Sequence, residues 1–108
     1  MPTLTVDLEK EEQFKQEVRR IVLKMVEGLP CTVFLFGSRV QGTIRRSSDF
    51  DIGIDGLDSE MFWKVKSRIQ DAVEESRVPH EVDVVNFDQV DEDFGTAAKS
   101  HIEIWKIG

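Results

Sequence analysis

From Phe14 onward the apolar positions recur as Val18, Ile21, Val22 and Met25 with charged residues between them, a spacing that predicts an amphipathic helix over roughly Asp7 to Glu27. Gly28 and Pro30 end it. The period then changes. Thr32-Val33-Phe34-Leu35-Phe36 is a β-branched and aromatic run that stops at Gly37, and reads as a buried strand entering a tight turn. A polar connection from Gly42 to Ser48 follows, with Val40 and Thr43 assigned to a short helix between strands. In Ser48-Asp49-Phe50-Asp51-Ile52-Gly53-Ile54-Asp55 every second residue is apolar, so Phe50, Ile52 and Ile54 face a core while Asp49, Asp51, Gly53 and Asp55 share the opposite face. Asp58 or Ser59 caps a helix whose Phe62, Val65, Ile69 and Val73 form a stripe that stops near Pro79. His80 to Phe87 is a third strand, with Val82 and Val84 on one face and Glu81 and Asp83 on the other. Phe94, Ala98, Ile102 and Trp105 return to helical intervals and predict a last helix, weakened by Gly95 near its start.

The expected fold class is therefore α+β, a two-layer sandwich with the order α-β-α-β-α-β-α. The second strand, apolar on one face and acidic on the other, is what a sheet covered by helices on one side only requires. The 108 residues suit one domain, 1–108, and show no repeat, low-complexity segment or linker. With one cysteine there is no internal disulfide. Neither a membrane-length apolar stretch nor a basic-then-apolar amino terminus is present, so a cytoplasmic location is expected. The net charge of −7 argues against nucleic acid as the main partner, since backbone binding needs clustered cations. Arg39, Arg45 and Arg46 form a local exception.

The chemistry is concentrated between residues 37 and 83. A glycine lets the backbone approach a ligand closely, and turn amides or a helix N-terminus after it direct N–H groups at phosphate oxygens, so Gly37 and Ser38 form a candidate phosphate turn, with Arg39 beside it. Asp49 and Asp51 point the same way and repel when ionised, which a divalent cation relieves; hard oxygen ligands suit magnesium and a bound triphosphate. Asp83 supplies a third acid if its strand lies beside that of Asp51, with Glu81 on the same face as its competitor. Taken alone, such acids are more often a solvated strand face; their coupling to the glycine turn favours a metal site.

Gly37-Ser38, the gap to Asp49-Phe50-Asp51, and the later apolar-flanked Asp83 together resemble the signature of the DNA polymerase β-type nucleotidyltransferase superfamily. Gly37-Ser38-Arg39-Val40-Gln41-Gly42 through Asp51 is similar, more narrowly, to the minimal nucleotidyltransferases of prokaryotes. Many of those are encoded beside a helical HEPN-domain protein as the antitoxin half of a two-gene module. The resemblance, over roughly Thr32 to Trp105, implies a small mixed sheet with helices on one face. It also implies two magnesium ions held by Asp49, Asp51 and Asp83, and AMP transfer from ATP to a hydroxyl acceptor with release of pyrophosphate. The larger relatives' acceptor-binding domain has no counterpart within 108 residues, so the implied acceptor surface belongs to another chain, a HEPN-domain toxin, or to a second copy in a homo-oligomer. The alternative is a non-catalytic subunit that neutralises its partner by occlusion; an antibiotic-modifying enzyme is disfavoured by the missing substrate domain. One departure stands out: members that modify a HEPN partner often carry arginine where this chain has Gln41.

The remaining conspicuous residues read as structural. Trp63 and Trp105 lie in helical stripes and are expected in a core or interface. His80 and His101 lack ligand-spaced partners, and Cys31, beside an apolar strand, is expected to be buried rather than nucleophilic.

Overall fold

The computed structural model describes residues 8–37, 40 and 49–108. Helix α1 (Leu8–Met25) leads into strand β1 (Thr32–Phe36), followed by β2 (Phe50–Asp55), helix α2 (Ser59–Glu75), β3 (Val82–Asn86), the short helix α3 (Glu92–Lys99) and β4 (Glu103–Lys106). The strands form one mixed sheet in the order β3-β2-β1-β4. β1 is antiparallel to both β2 and β4, whereas β2 and β3 run parallel across the connection that α2 provides. The α+β class stands.

The helix boundaries follow from local chemistry. Gly28, at φ +80°, takes the left-handed conformation open to glycine at low cost and turns the chain out of α1 towards β1. The Asp58 carboxylate accepts the Met61 N–H at 2.8 Å and so caps α2. Asp91 does the same for Phe94 and starts α3.

The main core lies between the sheet and the two long helices. Val18, Ile21, Val22 and Val26 of α1 and the segment after it, with Phe62, Val65, Ile69 and Val73 of α2, pack on Val33, Leu35, Phe50, Ile52, Ile54, Val82 and Val84. The α2 stripe is buried throughout, and in α1 Val18, Ile21 and Val22 are buried with Phe14 and Met25 partly buried against the same core. His80 fastens α1 to the lead-in of β3: its Nε2 is 3.1 Å from the Glu11 carboxylate, and its ring lies edge-on to Phe14 and Phe50. Its role is structural, as its lack of ligand-spaced partners suggested.

The carboxyl-terminal region departs from expectation. The predicted helix through Trp105 ends at Lys99, where the Ser100 hydroxyl donates to the Ala97 carbonyl at 2.7 Å, and the chain then pairs with β1 as an edge strand. A register shift between Val33 and Phe34 accompanies that pairing. Trp105 is buried from a strand, and its indole N–H donates to Glu103 at 2.7 Å. The expectation of helices on one face alone is also corrected. Phe34, Phe36 and Phe87 form a second cluster on the acidic face, with Val90, Ala98 and Ile102 against it. β1 carries apolar residues on both sides and gains cover on both. Trp63, by contrast, is 59% exposed on α2, with the Lys66 ammonium over its ring. The expected short helix between β1 and β2 lies outside the described residues apart from Val40, whose N–H donates to the Gly37 carbonyl at 3.1 Å. Among the described residues, no helix is long and apolar enough to cross a membrane.

Candidate active site

The acidic face of β2 is placed by its register. Asp51 pairs with Phe36 of β1 on one side and with Asp83 of β3 on the other. Residues paired across neighbouring strands point to the same face, so the Asp51 and Asp83 carboxylates stand side by side on strands about 4.8 Å apart. Asp83 is thus the register partner of Asp51, whereas Glu81 precedes β3, where its carbonyl accepts the Phe50 N–H at 3.0 Å. Asp49 immediately precedes β2 and is exposed.

Gly37 joins these acids to the turn. Its backbone sits at φ +84°, and a Cβ built there would collide with Asp51 Oδ2 and lie 3.1 Å from Asp51 Cγ. A side chain at 37 would be strained by the backbone and would take the carboxylate's place. Thus the turn after β1 and the β2 acid, separate features in the sequence, are in direct contact. Ser38 and Arg39 lie outside the described residues, as do Gln41, Arg45 and Arg46.

Gly53 has the corresponding role one pleat further along. A Cβ there would come within 2.5 Å of Phe34 Cζ and 2.8 Å of Phe87 Cδ1. Its absence lets both rings lie across β2, between the acids and Asp55. A lone glycine in an alternating strand is a sequence signal for such close approach. Lys99 carried no comparable signal: its ammonium pairs with Asp55 at 3.5 Å and lies 5.7 Å from the Phe34 ring centroid. It closes the far end of the acidic face with a cation.

Three carboxylates are a hard-oxygen donor set, and the side-by-side register of Asp51 and Asp83 suits a divalent cation. Among the described residues, no three His, Cys, Asp or Glu side chains already converge as a metal cage. The donor chemistry fits magnesium: Asp51 and Asp83 are paired by register, and Asp49 comes just before β2. A cleft of about 560 Å³ where α2 meets the start of β3 includes His80 and Glu81 but neither Asp51 nor Asp83. It lies apart from this chemistry.

Cys31 is buried, and burial pushes its thiol above the ordinary range, although the nearby Lys106 ammonium opposes that shift. It is a core residue, not a nucleophile.

Comparison with known proteins agrees with this geometry. The family described as Polymerase beta, Nucleotidyltransferase matches residues 28–105. A Haemophilus influenzae protein named a probable protein adenylyltransferase MntA is 35% identical over 82 residues, covering 74% of this chain and 71% of the relative. A toxin-antitoxin crystal structure with AMP-PNP superposes with TM-score 0.63 at 21% identity, over 83% of this chain and 73% of that chain. A complex of a tri-AMPylated Shewanella oneidensis HEPN toxin with an MNT antitoxin gives TM-score 0.61 at 16% identity, over 87% and 73% of the respective chains. At those identities the structures attest the shared fold, while the family match and the H. influenzae relative attest descent. With its glycine turn set against paired strand carboxylates, this chain belongs to the polymerase β-type nucleotidyltransferase family and is a nucleotidyltransferase.

Proposed function

We propose that this nucleotidyltransferase moves AMP from ATP to a hydroxyl side chain of a HEPN-domain toxin, in a magnesium-dependent reaction in the cytoplasm, and so acts as the toxin's antitoxin. The observation that carries the proposal is the Asp51–Asp83 pair set against Gly37. The naming of the H. influenzae relative as a probable protein adenylyltransferase and the HEPN toxin in the S. oneidensis complex support the donor and partner. The lone cysteine suits a reducing compartment.

Asp49, Asp51 and Asp83 would hold magnesium, which supplies positive charge for the triphosphate and acidifies an acceptor hydroxyl. The chain's own groups do the rest. The glycine turn, with Ser38 and Arg39 after it, receives the β- and γ-phosphates through backbone N–H groups and a cation. Asp83 takes the acceptor proton as the hydroxyl oxygen bonds to the α-phosphorus. The bond from that phosphorus to the bridging oxygen breaks, and pyrophosphate leaves with the electron pair. The products are an AMP ester and pyrophosphate.

The test is to purify the co-encoded partner after expression with the wild-type chain or with Asp51→Asn and to weigh it by mass spectrometry. The expected result is added AMP on the partner from wild-type cells alone, with neutralisation lost in the variant. An unmodified partner that both chains neutralise equally would replace transfer with occlusion.

A further inference from the structure

We infer that Phe94 is the surface on which the donor nucleotide's base stacks, an inference that rests on the nucleotide reading above and assigns the part of the site that holds the nucleoside. Phe36 is the register partner of Asp51, so its ring stands beside that carboxylate on the acidic face. Phe94, in the first turn of α3, stands edge-on above Phe36, with centroids 6.2 Å apart and planes at 89°, and its centroid is 5.9 Å from that of Phe87. Those neighbours are buried, yet Phe94 itself is 44% exposed. Its backbone is anchored by the N–H that donates to the capping Asp91 carboxylate at 2.8 Å, and its ring rests against those of Phe36 and Phe87.

Direction decides the occupant. The β- and γ-phosphates belong at the Gly37 turn, so the nucleoside must run away from that turn. On this face the sheet continues away from Gly37 through Phe36 and Phe34, under α3. Of the large apolar side chains exposed among the described residues, Trp63 lies on α2 and Ile104 and Ile107 at β4 and beyond it, which leaves Phe94 as the exposed aromatic surface over Phe36, the register partner of Asp51. A nucleobase is a flat π-surface, and stacking on one aromatic ring recognises it without reading its hydrogen-bonding edge. The consequence is a site that prefers purines to pyrimidines by ring area and discriminates weakly between adenine and guanine.

The experiment compares magnesium-dependent binding of adenosine 5′-(α,β-methylene)triphosphate with that of inorganic tripolyphosphate, by calorimetry, for wild type, Phe94→Ala, Phe94→Leu and Phe94→Trp. The expected result is a loss of about 5- to 100-fold in nucleotide affinity for Phe94→Ala and Phe94→Leu, with recovery in Phe94→Trp. Tripolyphosphate affinity should stay within about twofold throughout, since it has no base. Phe94→Leu keeps the apolar volume over Phe36, so a folding defect in the alanine variant would not hide the result. Unchanged nucleotide affinity in Phe94→Leu, or equal losses for both ligands, overturns the inference while leaving the phosphate site standing. Failure of the wild-type chain to bind either ligand overturns the nucleotide reading and this inference with it.

Discussion

The two faces of β2 are made from alternate residues of one short segment, yet they are built on opposite terms. The face that carries Phe50, Ile52 and Ile54 is closed under α1 and α2 and has no accessible surface. The face that carries Asp51 and Gly53 meets a glycine turn, a neighbouring acid and a small aromatic cluster. The packing that stabilises the fold is concentrated on the first face, and the proposed chemistry on the second. The glycines show how far the division goes: on the acidic face, side chains are omitted where a carboxylate or a ring must lie close to the backbone. The aromatic cluster under α3 keeps that face from being wholly solvated and gives the acids a rigid flank.

Adjacent substitutions separate the two faces most sharply. Asp51→Asn should lower transfer by more than about a hundredfold, the upper end of what loss of a supporting group costs, because it removes a proposed ligand itself. Ile52→Ala should do the reverse, costing about 2–5 kcal/mol of stability while the molecules that remain folded keep their turnover. Denaturant unfolding alongside AMP transfer measures both. A Asp51→Asn chain that fails to unfold cooperatively would make that acid structural and erase the distinction.

Gly53→Ala tests whether the aromatic cluster is truly close-packed across β2. The added methyl has to displace the Phe34 and Phe87 rings, and overpacking of this kind costs about 1–3 kcal/mol. A neutral substitution, read by the same denaturant titration, would mean that the rings have room to move. The smallest effect is expected from Lys99→Met, which removes a half-exposed partner of Asp55 and should change stability by about 1 kcal/mol or less. A larger loss would show that the cation over the Phe34 ring contributes more than its exposure suggests.

Much of this arrangement was legible because it is written locally. The strict alternation from Asp49 to Asp55 determines which residues face the core whatever the rest of the chain does, and the stripes of α1 and α2 do the same at the helical period. β4 was not legible. Its four residues give too short an alternation to compete with the helical spacing of Phe94, Ala98, Ile102 and Trp105, and its strand character comes from pairing with β1, about seventy residues earlier in the chain. The contact between Gly37 and Asp51 and the pairing of Asp51 with Asp83 likewise depend on register, which no single segment encodes. The cover that α3 gives Phe34 and Phe36 does have a trace in the sequence: a strand apolar at every position from Val33 to Phe36 is one that is buried on both sides.

The most direct test of the acidic face as the chemical face is calorimetric titration of the wild-type chain with ATP, in magnesium and again in excess chelator. A triphosphate brought against Asp49, Asp51 and Asp83 with no intervening divalent cation meets three like charges that the single cation proposed beside the turn does not offset, so binding should be measurable with magnesium and lost with chelator. Equal affinity in the two conditions would contradict the account, because the nucleotide would then be binding somewhere other than against these carboxylates.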